Sequence, residues 1–195
     1  MKRLFFLLQF VFFVSAVAWS QEAPEGLFID SKAPDFKSKD QDGNEIRLKD
    51  VLKKGKVILV FYRGQWCPYC NRFLSALQDS LQLIKDKGAS LIAVSPEKPE
   101  SIDSTVEKTK VTFPVLYDEE LKIMKAYDVE YEVPENTLTR YKNAGLDIEK
   151  NNGPNGKYLP ITAVYIIGDE QTVIYRFFEK DYKKRPAVKT LLTYL

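Results

Sequence analysis

Residues 56–70 read Lys-Val-Ile-Leu-Val-Phe-Tyr-Arg-Gly-Gln-Trp-Cys-Pro-Tyr-Cys, and this stretch decides the fold. Val57 to Phe61 are apolar without a break, which is the pattern of a central strand covered on both faces. Downstream the period changes. Phe73, Leu74, Leu77, Leu81 and Ile84 recur at the spacing of a helix burying one stripe, and Gly88 follows as its stop. Cys67 and Cys70 therefore lie at a strand-to-helix junction, and Pro68 fits just inside the helix start, where its missing N–H costs nothing.

Working outward, Ala33-Pro34-Asp35-Phe36 starts an extended segment, and Gln41-Asp42-Gly43-Asn44 supplies a hairpin turn into Glu45-Ile46-Arg47-Leu48. Asp50 to Lys54 reads as a helical turn ended by Gly55. Beyond the dithiol, Ala89–Ser95 is a second buried strand, Ser101–Thr109 a helix, Phe113–Tyr117 a short strand and Glu119–Tyr127 another helix. Ile161–Ile167, a turn at Gly168-Asp169-Glu170-Gln171 and Thr172–Phe178 form a closing hairpin, and a last helix falls near Pro186–Tyr194. Repeated βαβ units followed by a hairpin predict an α/β domain, a central mixed β-sheet with helices on both faces. Between Asp128 and Leu159 the pattern gives a long connection rich in turn formers, of the kind that is functional or mobile.

The chain has two cysteines and no histidine. The missing imidazole excludes Ser-His-Asp and Cys-His nucleophiles, His-containing metal sites and imidazole proton shuttles. A structural zinc site would need two further ligands from carboxylates alone, so no metal and no cofactor is expected. A bridge across two residues closes too small a loop to staple a fold. What remains is redox chemistry. A thiol attacks only as the thiolate, and a helix N-terminus lowers its pKa with unpaired N–H groups and the macrodipole. Residues three apart in the first turn share a face, so the two sulfurs can also close into a disulfide.

Val57 to Cys70 resembles the peroxiredoxin-like members of the alkyl hydroperoxide reductase/thiol-specific antioxidant (AhpC/TSA) family. The resemblance extends to Ala33–Phe36, to Phe113-Pro114-Val115-Leu116-Tyr117-Asp118, to Leu159–Ile167 and to the long connection with Gly145-Leu146-Asp147 and Asn152-Gly153. It implies a thioredoxin-like fold over residues 33–195. It further implies a thiol-dependent oxidoreductase that reduces hydroperoxides through a Cys67/Cys70 cycle, reset by an external thiol donor such as thioredoxin. Reduction of protein disulfides in the cell envelope, or a redox-sensing binding module, are the competing functions. The family pattern Pro-x-x-x-Thr-x-x-Cys places Arg63 at the proline, Cys67 at the threonine and Cys70 at the peroxidatic cysteine. The family's peroxide-binding arginine falls on Thr162, where thioredoxin relatives keep a cis-proline, with Pro160 two residues earlier. Thioredoxin logic instead names Cys67 as the attacking thiol.

Supporting residues follow from position. Arg63 is either a cation beside a thiolate or a solvated loop arginine. Trp66 shields the sulfurs or packs on the sheet, and Tyr69 tunes exchange or is merely exposed. Lys183-Lys184-Arg185 reads as a solvated helix entry. At the other end, Met1-Lys2-Arg3 precedes an apolar run to Val17 and the small residues of Ala18-Trp19-Ser20, the layout of a secretory signal peptide cleaved before Gln21. That predicts a periplasmic or secreted protein with no stable membrane anchor, and an N-terminal lead over residues 21–32. The chain carries 29 Lys+Arg and 27 Asp+Glu. Lys2 and Arg3 leave with the leader, so the remainder is neutral and no nucleic-acid partner is expected.

Overall fold

The computed structural model describes residues 23–195. The signal-peptide reading falls on residues 1–20 and lies outside them. In chain order the elements are β1 (Lys37–Lys39), β2 (Glu45–Arg47), α1 (Leu48–Leu52), β3 (Val57–Phe61), α2 (Pro68–Asp79), α3 (Leu81–Asp86), β4 (Ser90–Ser95), α4 (Pro99–Thr109) and β5 (Val115–Tyr117). Then follow α5 (Lys122–Ala126), β6 (Glu130–Glu132), α6 (Glu135–Asn143), α7 (Ile148–Asn152), β7 (Tyr158–Pro160), β8 (Thr162–Ile167), β9 (Val173–Glu179) and α8 (Val188–Leu192). The hairpin β1–β2 turns at Asp40–Asn44, as the Asp-Gly pair requires.

The main sheet has five strands in the order β5-β4-β3-β8-β9. β3 is central, parallel to β4 and antiparallel to β8. All five β3 residues are buried, which is why the sequence shows no alternation there. Alternate residues still feed different layers. Ile58 and Val60 join Phe73, Leu74, Leu77, Ile102 and Leu191 under α2, α4 and α8. Val57, Leu59 and Phe61 join Leu48, Ile123, Met124 and Tyr127 under α1 and α5. Helices thus cover both faces of a mixed sheet.

Two expectations change. The helix expected from Phe73 to Gly88 is two helices, because Ser80 (φ −100°, ψ 5°) leaves helical geometry. Asp79 and Ser80 are residues whose side chains compete for backbone hydrogen bonds, and the apolar stripe resumes in phase beyond them. The lead over residues 23–32 is docked on the sheet: Leu27 N–H donates to the Tyr165 hydroxyl (3.0 Å) and Asp30 N–H to Val173 O (2.9 Å).

The largest change concerns 128–159, which is a folded insert and not a loop. Its hydrophobic residues Val133, Leu138, Tyr141, Leu146, Ile148 and Leu159 collapse into a third cluster around Trp66. The turn formers cap its elements. Asp147 accepts from Lys150 N–H at 3.0 Å to start α7, and Gly153 and Gly156 take positive φ at its end. Buried Asn155 pins the insert to the sheet, donating to Pro96 O (2.7 Å) and Asp118 O (2.9 Å).

Candidate active site

β3 delivers the chain to the end of the sheet, and Arg63-Gly64-Gln65-Trp66 turns it into α2. Cys67 is the N-cap, with extended backbone (φ −88°, ψ 108°), and its C=O takes the first helical bond from Asn71 N–H at 3.0 Å. Pro68 is N1 and exposed, while both cysteines are reduced thiols with 1% exposure.

The two thiols are held in different states. Cys67 receives hydrogen bonds from the Cys70 thiol and the Cys70 backbone N–H, and the Arg63 and Arg185 charges favour the same form. Against opposing burial, these bring its pKa down to about 6. Burial first, then the bond donated to Cys67 and the charge on Cys67, push Cys70 well up. Cys67 is the standing thiolate and Cys70 the standing thiol.

Arg63 is 3% exposed, which settles the choice between a site cation and a solvated arginine. Its guanidinium carbon lies 4.7 Å from the Trp66 ring and 4.2 Å from the Tyr182 ring, and Nη2 donates to the Tyr141 hydroxyl at 3.0 Å. Such aromatic stacking holds a guanidinium without neutralising it. Trp66 packs on this cation and on Tyr141 (6.0 Å between rings) and roofs the site from the insert side. Tyr69 is half-buried and meets Tyr182 edge-on at 5.9 Å.

Arg185 is the residue that sequence reasoning missed. It is half-buried, not a solvated entry residue, and Nη2 donates to Cys70 Sγ at 3.2 Å. Nη1 donates to Tyr182 O at 2.7 Å and to Thr162 Oγ1 at 3.3 Å. Thr162 thus enters the site as a support for this arginine. Pro160 does not take the cis-proline role: no peptide among the described residues is cis, and Pro160 ends β7 opposite Glu130. Among the described residues no ion pair includes Arg63 or Arg185, so the Cys67 thiolate is the anion beside two cations. Glu97, at the end of β4, was also missed. A carboxylate directly after a buried parallel strand is a legible sign, because α/β sites gather at the carboxyl ends of strands.

The AhpC/TSA family profile matches residues 29–176. The chain belongs to the AhpC/TSA family. Among relatives, it is 31% identical over 102 residues to the thiol-disulfide oxidoreductase ResA of Geobacillus kaustophilus, covering 52% of this chain and 58% of the relative. It is 30% identical over 97 residues to peroxiredoxin Bcp of Escherichia coli, covering 50% of this chain and 62% of Bcp. In each case the match spans less than two thirds of the relative. The fold is also similar to that of peroxidoxin BcpB from Mycobacterium tuberculosis, with a TM-score of 0.64 at 19% identity over 89% of this chain and 96% of that one. The AhpC/TSA assignment and the peroxiredoxin fold agree with the thioredoxin-like fold that the resemblance implies. The family pattern aligns its peroxidatic cysteine with Cys70, one turn beyond the helix cap at Cys67.

Proposed function

We propose that the chain is a thiol-dependent peroxidase in which Cys67 attacks and Cys70 resolves. The observation that carries this reading is the pairing of a standing thiolate with near-complete burial. With 1% exposure, Cys67 is closed to a protein surface, which favours a substrate as small as a hydroperoxide over a protein disulfide. Attack converts Cys67 to a sulfenic acid and removes its charge. Two of the causes that hold Cys70 neutral disappear with it, namely the like charge and the bond it donates, whereas the Arg185 bond remains and favours the thiolate. Cys70 is then ready to close the disulfide. An external dithiol resets the pair.

The competing reading, an envelope thiol-disulfide reductase, shares the Cys67 nucleophile and is supported by the likeness to ResA. Stopped-flow oxidation of the reduced protein separates the two. Faster reaction with hydrogen peroxide than with a mixed-disulfide peptide supports the peroxidase, and the reverse order overturns it. The basic start, apolar run and small residues before Gln21 support export, so we place this chemistry outside the cytoplasm.

A further inference from the structure

Attack of a thiolate on a hydroperoxide expels an alkoxide or hydroxide, which needs a proton at once. The chain has no histidine to give one. Glu97 is completely buried. Its Oε2 accepts from Gln65 N–H at 2.8 Å, but Oε1 has no protein partner. Asp118, the other fully buried carboxylate among the described residues, uses both oxygens, accepting from Ile123 N–H and Met124 N–H at 2.8 Å each.

Gly64 shows where the free oxygen lies. A methyl group added there would sit 2.5 Å from Glu97 Oε1 and 2.6 Å from the Trp66 indole nitrogen. That indole N–H is likewise buried without a partner. A lone acceptor and a lone donor therefore converge beside the backbone that carries Cys67, whose own N–H is bound to Gly64 O at 3.0 Å. Only a residue without a side chain lets the backbone approach these two groups so closely.

We infer that Glu97 is the general acid of the peroxidase reaction, giving the proton that the leaving oxygen of the hydroperoxide takes up. The inference rests on the peroxidase reading above. In the first step Cys67–S⁻ attacks the terminal oxygen, the O–O bond breaks, and the Glu97 carboxyl proton passes to RO⁻. The products are Cys67–SOH, ROH and Glu97–COO⁻, with sulfur oxidised by two electrons and the peroxide reduced by two. Cys70–SH then displaces water from Cys67–SOH, with no net proton exchanged. An external dithiol reduces the disulfide; of its two protons one goes to Cys70 and one returns to Glu97, and Cys67 is again the thiolate. The negative charge thus passes from Cys67 to Glu97 and back, and Arg63 and Arg185 keep a counter-charge through the cycle.

The charges facing Glu97 agree with a resting acid. Burial holds its pKa up to about 8 and the Cys67 charge adds to this, while the Gln65 N–H and Lys108 on α4 oppose it. Tyr62 at the end of β3 is neutral beside it.

The test compares reduced wild type and Glu97→Gln in single-turnover reactions with tert-butyl hydroperoxide and with methyl methanethiosulfonate, whose sulfinate leaves without a proton. The peroxide rate is expected to fall about 100-fold while the thiosulfonate rate stays within about twofold. Equal rates with peroxide in both proteins, or equal losses with both reagents, would overturn the inference while leaving the peroxidase reading intact. A wild type that reacts with the thiosulfonate but not with peroxide overturns the reading and the inference together. Infrared difference spectra of the wild type give a readout that does not depend on the variant folding. Oxidation by peroxide should remove one protonated-carboxyl band, and an unchanged carboxyl region overturns the assignment.

Discussion

Arg185 Nη2 donates to Cys70 Sγ at 3.2 Å, across 115 residues of sequence. This arginine bonds Cys70 and acts on Cys67 through its charge, the smallest of the causes named there, so the two half-reactions should separate on mutation. Arg185→Met is expected to keep the rate of Cys67 oxidation within about threefold but to slow disulfide closure roughly tenfold, the loss of about 1.4 kcal/mol from one charge-assisted bond. Sulfenic acid should accumulate on Cys67 and be captured by a dimedone probe. Closure at the wild-type rate would remove Arg185 from the resolving step.

The single cysteine variants test the order of attack. Cys67→Ser should react far more slowly than the wild type with peroxide and thiosulfonate, because burial, the largest cause that pushes Cys70 up, stays in place when the Cys67 charge and bond go. Cys70→Ser should react once and stop with the oxidised or mixed-disulfide sulfur on Cys67, located by peptide mass spectrometry. Modification found on Cys70 of the Cys67→Ser protein at a comparable rate would reverse the assignment.

Arg63→Met removes a cation from the thiolate side. The pKa of Cys67 should rise from about 6 by only part of the way to the ordinary value, because the Arg63 charge ranks behind the two Cys70 hydrogen bonds, so peroxide oxidation at pH 7 should slow by about twofold. Above pH 9 both proteins carry the full thiolate, and the difference should narrow. A loss that is the same at both pH values would mark Arg63 as a substrate contact instead.

Two opposed linkages shape the stability of the reduced protein. The folded pKa of Cys67 is depressed, so its contribution is present above the unfolded value of about 8.5 and is lost as pH falls through about 6. Glu97 runs the other way: its folded value is raised to about 8, so stability is full below the unfolded value near 4.3 and is lost as pH rises through 8. Glu97→Gln should therefore match the wild type in thermal unfolding at about pH 4 and exceed it at pH 8, by several degrees for roughly 1–2 kcal/mol. A variant less stable than the wild type at pH 8 would contradict a carboxyl held against ionisation.

Export has a direct readout. The mature protein is expected to begin at Gln21 and to be recovered from the periplasm or medium. Intact Met1 on an extracytoplasmic protein would contradict cleavage.

The parts of the fold that were legible in the sequence are those whose signal is local. Val57–Phe61 announces a buried strand by itself, and the stripe from Phe73 to Ile84 announces helix with a single misread joint at Ser80. The dithiol was legible because strand, cap and Pro68 are contiguous. Arg185 was not, since its partners Cys70, Thr162 and Tyr182 are assembled by the return of the chain after β9, and a Lys-Lys-Arg run looks solvated until that return is known. The insert was misread for another reason. Its apolar residues have no single period, because they belong to two short helices and the β6–β7 strand pair that brackets them, each contributing only a few side chains to the cluster around Trp66.

Gly64 also bears on how relatives of this chain can be recognised from their sequences. Any side chain there would collide with the Glu97 carboxyl, so a carboxyl after β4 and a bulkier residue three positions before the first cysteine exclude each other. The two positions, 33 residues apart in this chain, form a linked pair of letters. Searches keyed to Cys-x-x-Cys alone read neither of them. Sorting family sequences by this pair would separate chains able to house a buried acid beside the dithiol from those that must draw the proton from solvent.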